Sequence, residues 1–155
     1  MQVRELMTPD VQYCSPDTNL AAAAKMMWDS DCGALPIVTA EGRVQGVITD
    51  RDICMAAATK DRAPSAITVW ETSSGKAIIC HPNDNIHQAL ELMARGRVRR
   101  LPVVDEDGTL RGMVAMNDLI LAAGEHRGRS AAELSTEDVI HTLETISAHR
   151  VLVGI

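Results

Sequence analysis

Apolar and polar positions along this 155-residue chain fall into two patterns, and each pattern is written twice. Leu20, Ala23, Ala24 and Met27 stand at i, i+3, i+4 and i+7, the spacing of one buried helix face; Ile86, Ala89, Leu90 and Met93 repeat it. Both stripes read as core and not as a cofactor box. Each is followed by two short apolar runs around a glycine-bearing turn. In the first copy these are 34–38, Glu41-Gly42 and 44–48; in the second they are 101–104, Asp107-Gly108 and 110–114. Two hairpins are predicted. Short extended segments at 11–14 and 77–80 precede the striped helices, and further helices are predicted over about 50–58 and 117–123.

The sum is β-α-β-β-α twice over, an α/β (α+β) fold of small sheets with pseudo-twofold symmetry. Cys14 falls on Cys80, Pro16 on Pro82, Asn19 on Asn85, Met27 on Met93, Leu35-Pro36 on Leu101-Pro102, Gly42 on Gly108, Gly46 on Gly112 and Asp52 on Asp118, with no insertion or deletion between the copies. The 66-residue period exceeds that of solenoids, about 20 to 50 residues, so a pair is expected and not an array. We divide the chain into a first repeat at 1–60, a linker with a short strand at 61–76, a second repeat at 77–124 and a C-terminal extension at 125–155. In the extension Ser135 reads as a helix N-cap with Glu137 and Asp138 in the first turn, leading into Val139, Ile140, Leu143 and Ile146. The apolar tail at 151–155 could add an edge strand or meet a partner.

Composition narrows the function. The 46% of apolar residues are aliphatic, with two Trp, one Tyr and no Phe. A net charge of -6 argues against nucleic acid, whose non-specific affinity rests on neutralised phosphates, and few aromatics are present to stack on bases. Neither a signal peptide nor a run of about 18 apolar residues is visible, so a soluble cytoplasmic protein with no membrane contact is expected. Cys14, Cys32, Cys54 and Cys80 lack the spacing of a metal site and read as buried thiols, although Cys14 and Cys80 occupy equivalent positions and could meet across the pseudo-twofold. The five histidines stand beside no nucleophile, and no catalytic or metal-binding residue is assigned. Trp28 and Trp70 suit packing or a subunit interface.

Candidate chemistry lies at Gly46-Val47-Ile48-Thr49-Asp50-Arg51-Asp52, where a strand runs into a helix. Free amides at a helix start attract anions, a threonine hydroxyl can donate to a phosphate oxygen, and a carboxylate three residues on can accept both hydroxyls of a ribose. That set suits a nucleoside phosphate. Thr-x-x-Asp is also close to a capping box, which needs no ligand. The second copy, Gly112 to Asp118, has Ala115 in place of the threonine yet keeps Asp118, which favours a role for the carboxylate beyond the cap.

Together with Met7-Thr8-Pro9, Gly33-Ala34-Leu35-Pro36-Ile37-Val38 and Arg99-Arg100-Leu101-Pro102-Val103-Val104-Asp105, these strings resemble the CBS domain pair, or Bateman module, over roughly residues 1–124. The resemblance implies two clefts between repeats that bind adenosine nucleotides or related adenosyl ligands. Thr49 and Asp52, with the neighbouring Arg51, would belong to the better-formed site and Asp118 to the other. Adenine would lie along Ala34, Leu35, Pro36 and Ile37 and against Ile48. Arg99 and Arg100 could neutralise phosphates with forked donors, or form a solvated basic surface. Ala115 departs from the family's Ser or Thr and puts phosphate at the second cleft in doubt. A regulatory module is implied, with an adenine nucleotide as ligand, no required cofactor, a homodimeric state and an unidentified protein partner. The competing reading is a ligand-independent assembly module using the C-terminal segment.

Overall fold

The computed structural model of the chain describes residues 1–73, 75–125 and 134–148. Its elements run β1 (Thr8–Pro9), α1 (Leu20–Asp29), β2 (Ala34–Val38), β3 (Val44–Thr49), α2 (Asp50–Thr59), α3 (Val69–Thr72), α4 (Ile86–Gly96), β4 (Arg100–Val104), β5 (Leu110–Ala115), α5 (Met116–Glu125) and α6 (Thr136–Ser147). This is the mixed α+β fold expected of tandem β-α-β-β-α repeats.

Both hairpins form. β2 pairs antiparallel with β3, placing Ala34 opposite Thr49, and β4 pairs with β5, placing Arg100 opposite Ala115. Their turns need left-handed glycines, Gly42 at φ 83° and Gly108 at φ 86°. The same turns join the repeats: Val44 N–H donates to the Gly108 carbonyl at 3.0 Å and Leu110 N–H to that of Gly42 at 3.1 Å. These two bonds are mates under the duplication, so the pseudo-twofold axis passes between the turns. The extended lead-ins shrink to single bridges, Cys14 beside Ile37 and Cys80 beside Val103.

Two hydrophobic cores form, and the segments before each repeat cross over to the other one. Val3 is fully buried with Leu90, Met93 and Leu101 of the second core, and β1 pairs with β5, although residues 1–60 were assigned to the first repeat. Its counterpart Val69 is fully buried with Leu20, Leu35 and Ile48 of the first core. Gly112 permits the crossover, because a Cβ there would collide with the Thr8 carbonyl and touch Pro9.

Three expectations are corrected. Among the described residues of the linker no strand forms beyond a single bridge of Thr68 to Asn19: residues 64–66 are a 3₁₀ turn and 69–72 the single-turn α3. Thr68 and Glu71 close a capping box there, and this outweighs the β-branched run Ile67-Thr68-Val69. Cys14 and Cys80 are free thiols in separate cores, each facing a proline carbonyl of its own repeat. Ala24 is exposed although its mate Leu90 is buried, because α6 packs across α4 and α5 and leaves the α1–α2 face open. The Ser135 cap forms, with Asp138 closing its box. The apolar tail at 151–155 lies outside the described residues.

Candidate functional site

The site is built where β3 hands the chain to α2. Thr49 is extended and caps α2: Asp52 N–H donates to the Thr49 hydroxyl at 3.2 Å, while Asp52 Oδ2 accepts from the Thr49 N–H at 2.9 Å and its hydroxyl at 2.7 Å. The capping alternative is therefore realised in full. At the matched position Asp118 Oδ2 still accepts from the Ala115 N–H at 2.8 Å. Half the box survives without a threonine, so retention of Asp118 does not by itself point to another role. Among the described residues, Oδ1 of Asp52 has no donor, and neither has Oδ1 of Asp118, so each carboxylate keeps one oxygen open to a ligand.

Asp52 borders a cleft of about 660 Å³ between the repeats, within the roughly 300–1,000 Å³ usual for small-molecule sites. From the first repeat come Ala34, Thr49, Asp50, Arg51 and Asp52; from the linker and second repeat come Lys76, Ile78, Arg97, Val98, Arg99 and Arg100, with Ile146 of α6 at the rim. Val47, Ile78 and Val98 supply apolar wall. Five cations, Arg51, Lys76, Arg97, Arg99 and Arg100, meet two carboxylates, Asp50 and Asp52. Among the described residues none of the five is in an ion pair; the pairs lie elsewhere, as Lys25 with Asp29, Arg62 with Glu71, Arg95 with Glu91 and Arg111 with Asp105. Unpaired cations converging on a groove raise its potential and favour an anion. Arg97 ends α4 in the left-handed region at φ 52° and donates to the Ala148 carbonyl at 3.1 Å, tying the C-terminal helix to the cleft.

The duplication makes a second cleft of about 330 Å³, lined among others by Asp31, Ala34, Pro36, Arg100, Ala115, Asn117 and Asp118. All of these but Pro36 have duplication mates that line the larger cleft, Arg97, Arg100, Ala34, Thr49, Arg51 and Asp52, so the two clefts are pseudo-symmetric mates.

Of the residues expected at the ligand, Thr49, Asp52, Ala34, Arg51, Arg99 and Arg100 meet at the larger cleft. Pro36 and Asp118 border the smaller one, which Ala34 and Arg100 share. Leu35, Ile37 and Ile48 are corrected: all three are fully buried in the first core and line neither cleft. The run Ala34 to Val38 is buried throughout, and alternation sends Leu35 and Ile37 inward. Lys76, Arg97 and Asp50 were missed as site residues. Lys76 and Arg97 carry a readable signal, because the duplication aligns them with Asp10 and Asp31. Desolvation pushes the Cys14 thiol up to about 11 and that of Cys80 to about 12, so neither is a nucleophile at neutral pH. No cluster of three or more His, Cys, Asp or Glu side chains suited to a metal occurs among the described residues, and no helix there is long and apolar enough to cross a membrane.

Comparison with known proteins identifies the fold and the family. The sequence model of the CBS domain matches twice, over residues 3–59 and 69–125. The CBS domain-containing protein YhcV of Bacillus subtilis is 32% identical over 139 residues, 88% of this chain and 97% of its own length. The crystal structure of Hypoxic Response Protein I with two coordinated zinc ions superposes with a TM-score of 0.72 at 31% identity, over 78% of this chain and 98% of that one; a protein of that name belongs to Mycobacterium tuberculosis. CBSX2 in complex with AMP superposes with a TM-score of 0.69 at 23% identity, over 80% and 96% of the two chains.

Proposed function

The chain belongs to the CBS-domain family, and on that premise we propose that it is a non-catalytic regulatory module that binds an adenosine nucleotide in its larger inter-repeat cleft. The observation that carries this reading is the convergence on the groove that Thr49 and Asp52 border of five cations that have no ion pair among the described residues. Ribose hydroxyls donate to Asp52 Oδ1, phosphates meet Arg97, Arg99, Arg100 and Lys76, and the base lies between Ala34, Ile78 and Val98. The AMP carried by CBSX2 is a ligand of this class.

Such a ligand touches both repeats and the Arg97 that holds the end of α6. It shifts a conformational balance by as much as its affinities for the two states differ. A phosphate that draws Arg97 from Ala148 loosens α6 on the second repeat, and this is the signal offered to a partner. We expect a homodimer through the α1–α2 face, where Trp28 is 87% exposed, because α6 covers the corresponding face of the second repeat.

Thermal denaturation against AMP, ADP, ATP, S-adenosylmethionine and NADH tests the reading. Stabilisation by the phosphorylated ligands is expected, and no shift with any of them would refute it. One observation favours a second reading: the Thr49–Asp52 box is complete without a ligand. A ligand-independent assembly module using the C-terminal segment would show no shift with any ligand of that panel.

A further inference from the structure

Resting on the adenosine-ligand reading above, we propose that the two clefts are charge-sorted: the larger takes a phosphorylated adenosine ligand, and the smaller takes an adenosine derivative that carries no phosphate. The duplication permits a position-by-position comparison. Arg97 and Asp31 are mates just past the first helix of each repeat, Arg97 as the cap of α4 and Asp31 one residue beyond the cap of α1, both in the left-handed region at φ 52° and 48°. Each borders its own cleft, so one backbone geometry presents a guanidinium to the larger cleft and a carboxylate to the smaller. Thr49, whose hydroxyl could reach a phosphate oxygen, is matched by Ala115, which has none. Arg51 is matched by the uncharged Asn117.

The carboxylate proposed for ribose is kept on both sides, as Asp52 and Asp118. Among the described residues Arg100 is the one cation lining the smaller cleft, which it shares with two carboxylates, Asp31 and Asp118. It also borders the larger cleft, and its guanidinium stands near Gly33, against which the Asp50 carboxylate is placed as well. The smaller cleft also has about half the volume, 330 against 660 Å³. It retains the sugar-gripping group, sets its single guanidinium against two carboxylates, and so offers no net positive charge to a phosphate.

Calorimetric titration of the full chain with ATP and with adenosine tests this. One ATP site per chain is expected, and adenosine should bind a further site in the presence of saturating ATP. The double variant Asp31→Arg/Ala115→Thr copies the larger cleft into the smaller. Arginine is tolerated at that left-handed position in its mate Arg97, and threonine there would complete a cap as Thr49 does. A second ATP site is expected in this variant, with adenosine no longer bound alongside ATP. Two ATP sites in the unaltered chain, exclusion of adenosine by saturating ATP, or no second ATP site in a folded double variant would each overturn the proposal while leaving the adenosine-ligand reading intact. Failure of both ligands to bind the unaltered chain would overturn that reading, and this proposal with it.

Discussion

Changing Asp52 to alanine removes a helix cap and a proposed ligand contact together, and the two losses are separable by magnitude. The carboxylate accepts from the Thr49 N–H at 2.9 Å and the Thr49 hydroxyl at 2.7 Å, so the capping box of α2 opens at a cost of about 1 kcal/mol in stability. A charged acceptor lost from a ligand hydroxyl costs about 2 kcal/mol of binding, or about 30-fold in Kd. ATP at 100 times the wild-type Kd stabilises by about 2.7 kcal/mol, a Tm shift of about 5–11 °C for a chain of this size. At the same concentration the variant sees about three times its Kd, leaving about 0.9 kcal/mol and a shift of about 2–4 °C. Ser135→Ala is the control. It opens a box of similar geometry at α6, with bonds of 3.0, 2.5 and 3.1 Å, away from both clefts. It should lower the unliganded Tm comparably and keep the full ATP shift. An Asp52→Ala protein that also keeps the full shift would show that Asp52 only caps a helix.

Gly112→Ala should destabilise by about 1–3 kcal/mol in denaturant titration, because its Cβ would strike backbone at Thr8 and Pro9. Gly124→Ala, in α5 with nothing among the described residues within 4 Å, should stabilise by about 0.5–1 kcal/mol; equal effects of the two would contradict the crossover packing. Iodoacetamide at mildly alkaline pH should label the exposed Cys54 readily and spare Cys14 and Cys80, whose buried thiols ionise only near 11 and 12; rapid loss of all four thiols in the folded protein would refute that burial. The Thr68 N–H, with the Arg62 guanidinium, holds the Glu71 carboxyl down from 4.5 to about 2. A depressed value gives stability above about pH 4.5 that is lost as pH falls toward 2, so Glu71→Gln should flatten acid unfolding in that window; an unchanged acid limb would contradict the pairing.

The parts of the fold that the sequence foretold are those with local causes. Period and turn glycines place both hairpins, and the two striped helices follow from their apolar spacing. What escaped was decided by distant partners. Val3 carries no mark that sends it to the second core while its mate Val69 goes to the first, and the docking of α6 on α4 and α5 joins segments far apart in the chain. Within the site, the Thr49–Asp52 pair was readable, but the burial of Leu35, Ile37 and Ile48 was not. A run buried throughout, such as Ala34 to Val38, has no polar alternation to show which side chains face a ligand. Lys76 and Arg97 needed only the duplication, which sets each of them against an aspartate.

A crystal structure of the protein grown with ATP would test the central claim most directly. Electron density for the nucleotide is predicted in the larger cleft, with ribose hydroxyls within hydrogen-bonding distance of Asp52 Oδ1 and phosphates among Arg97, Arg99 and Arg100. An empty cleft at saturating ATP, or a nucleotide bound with Asp52 out of reach of its sugar, would contradict the account.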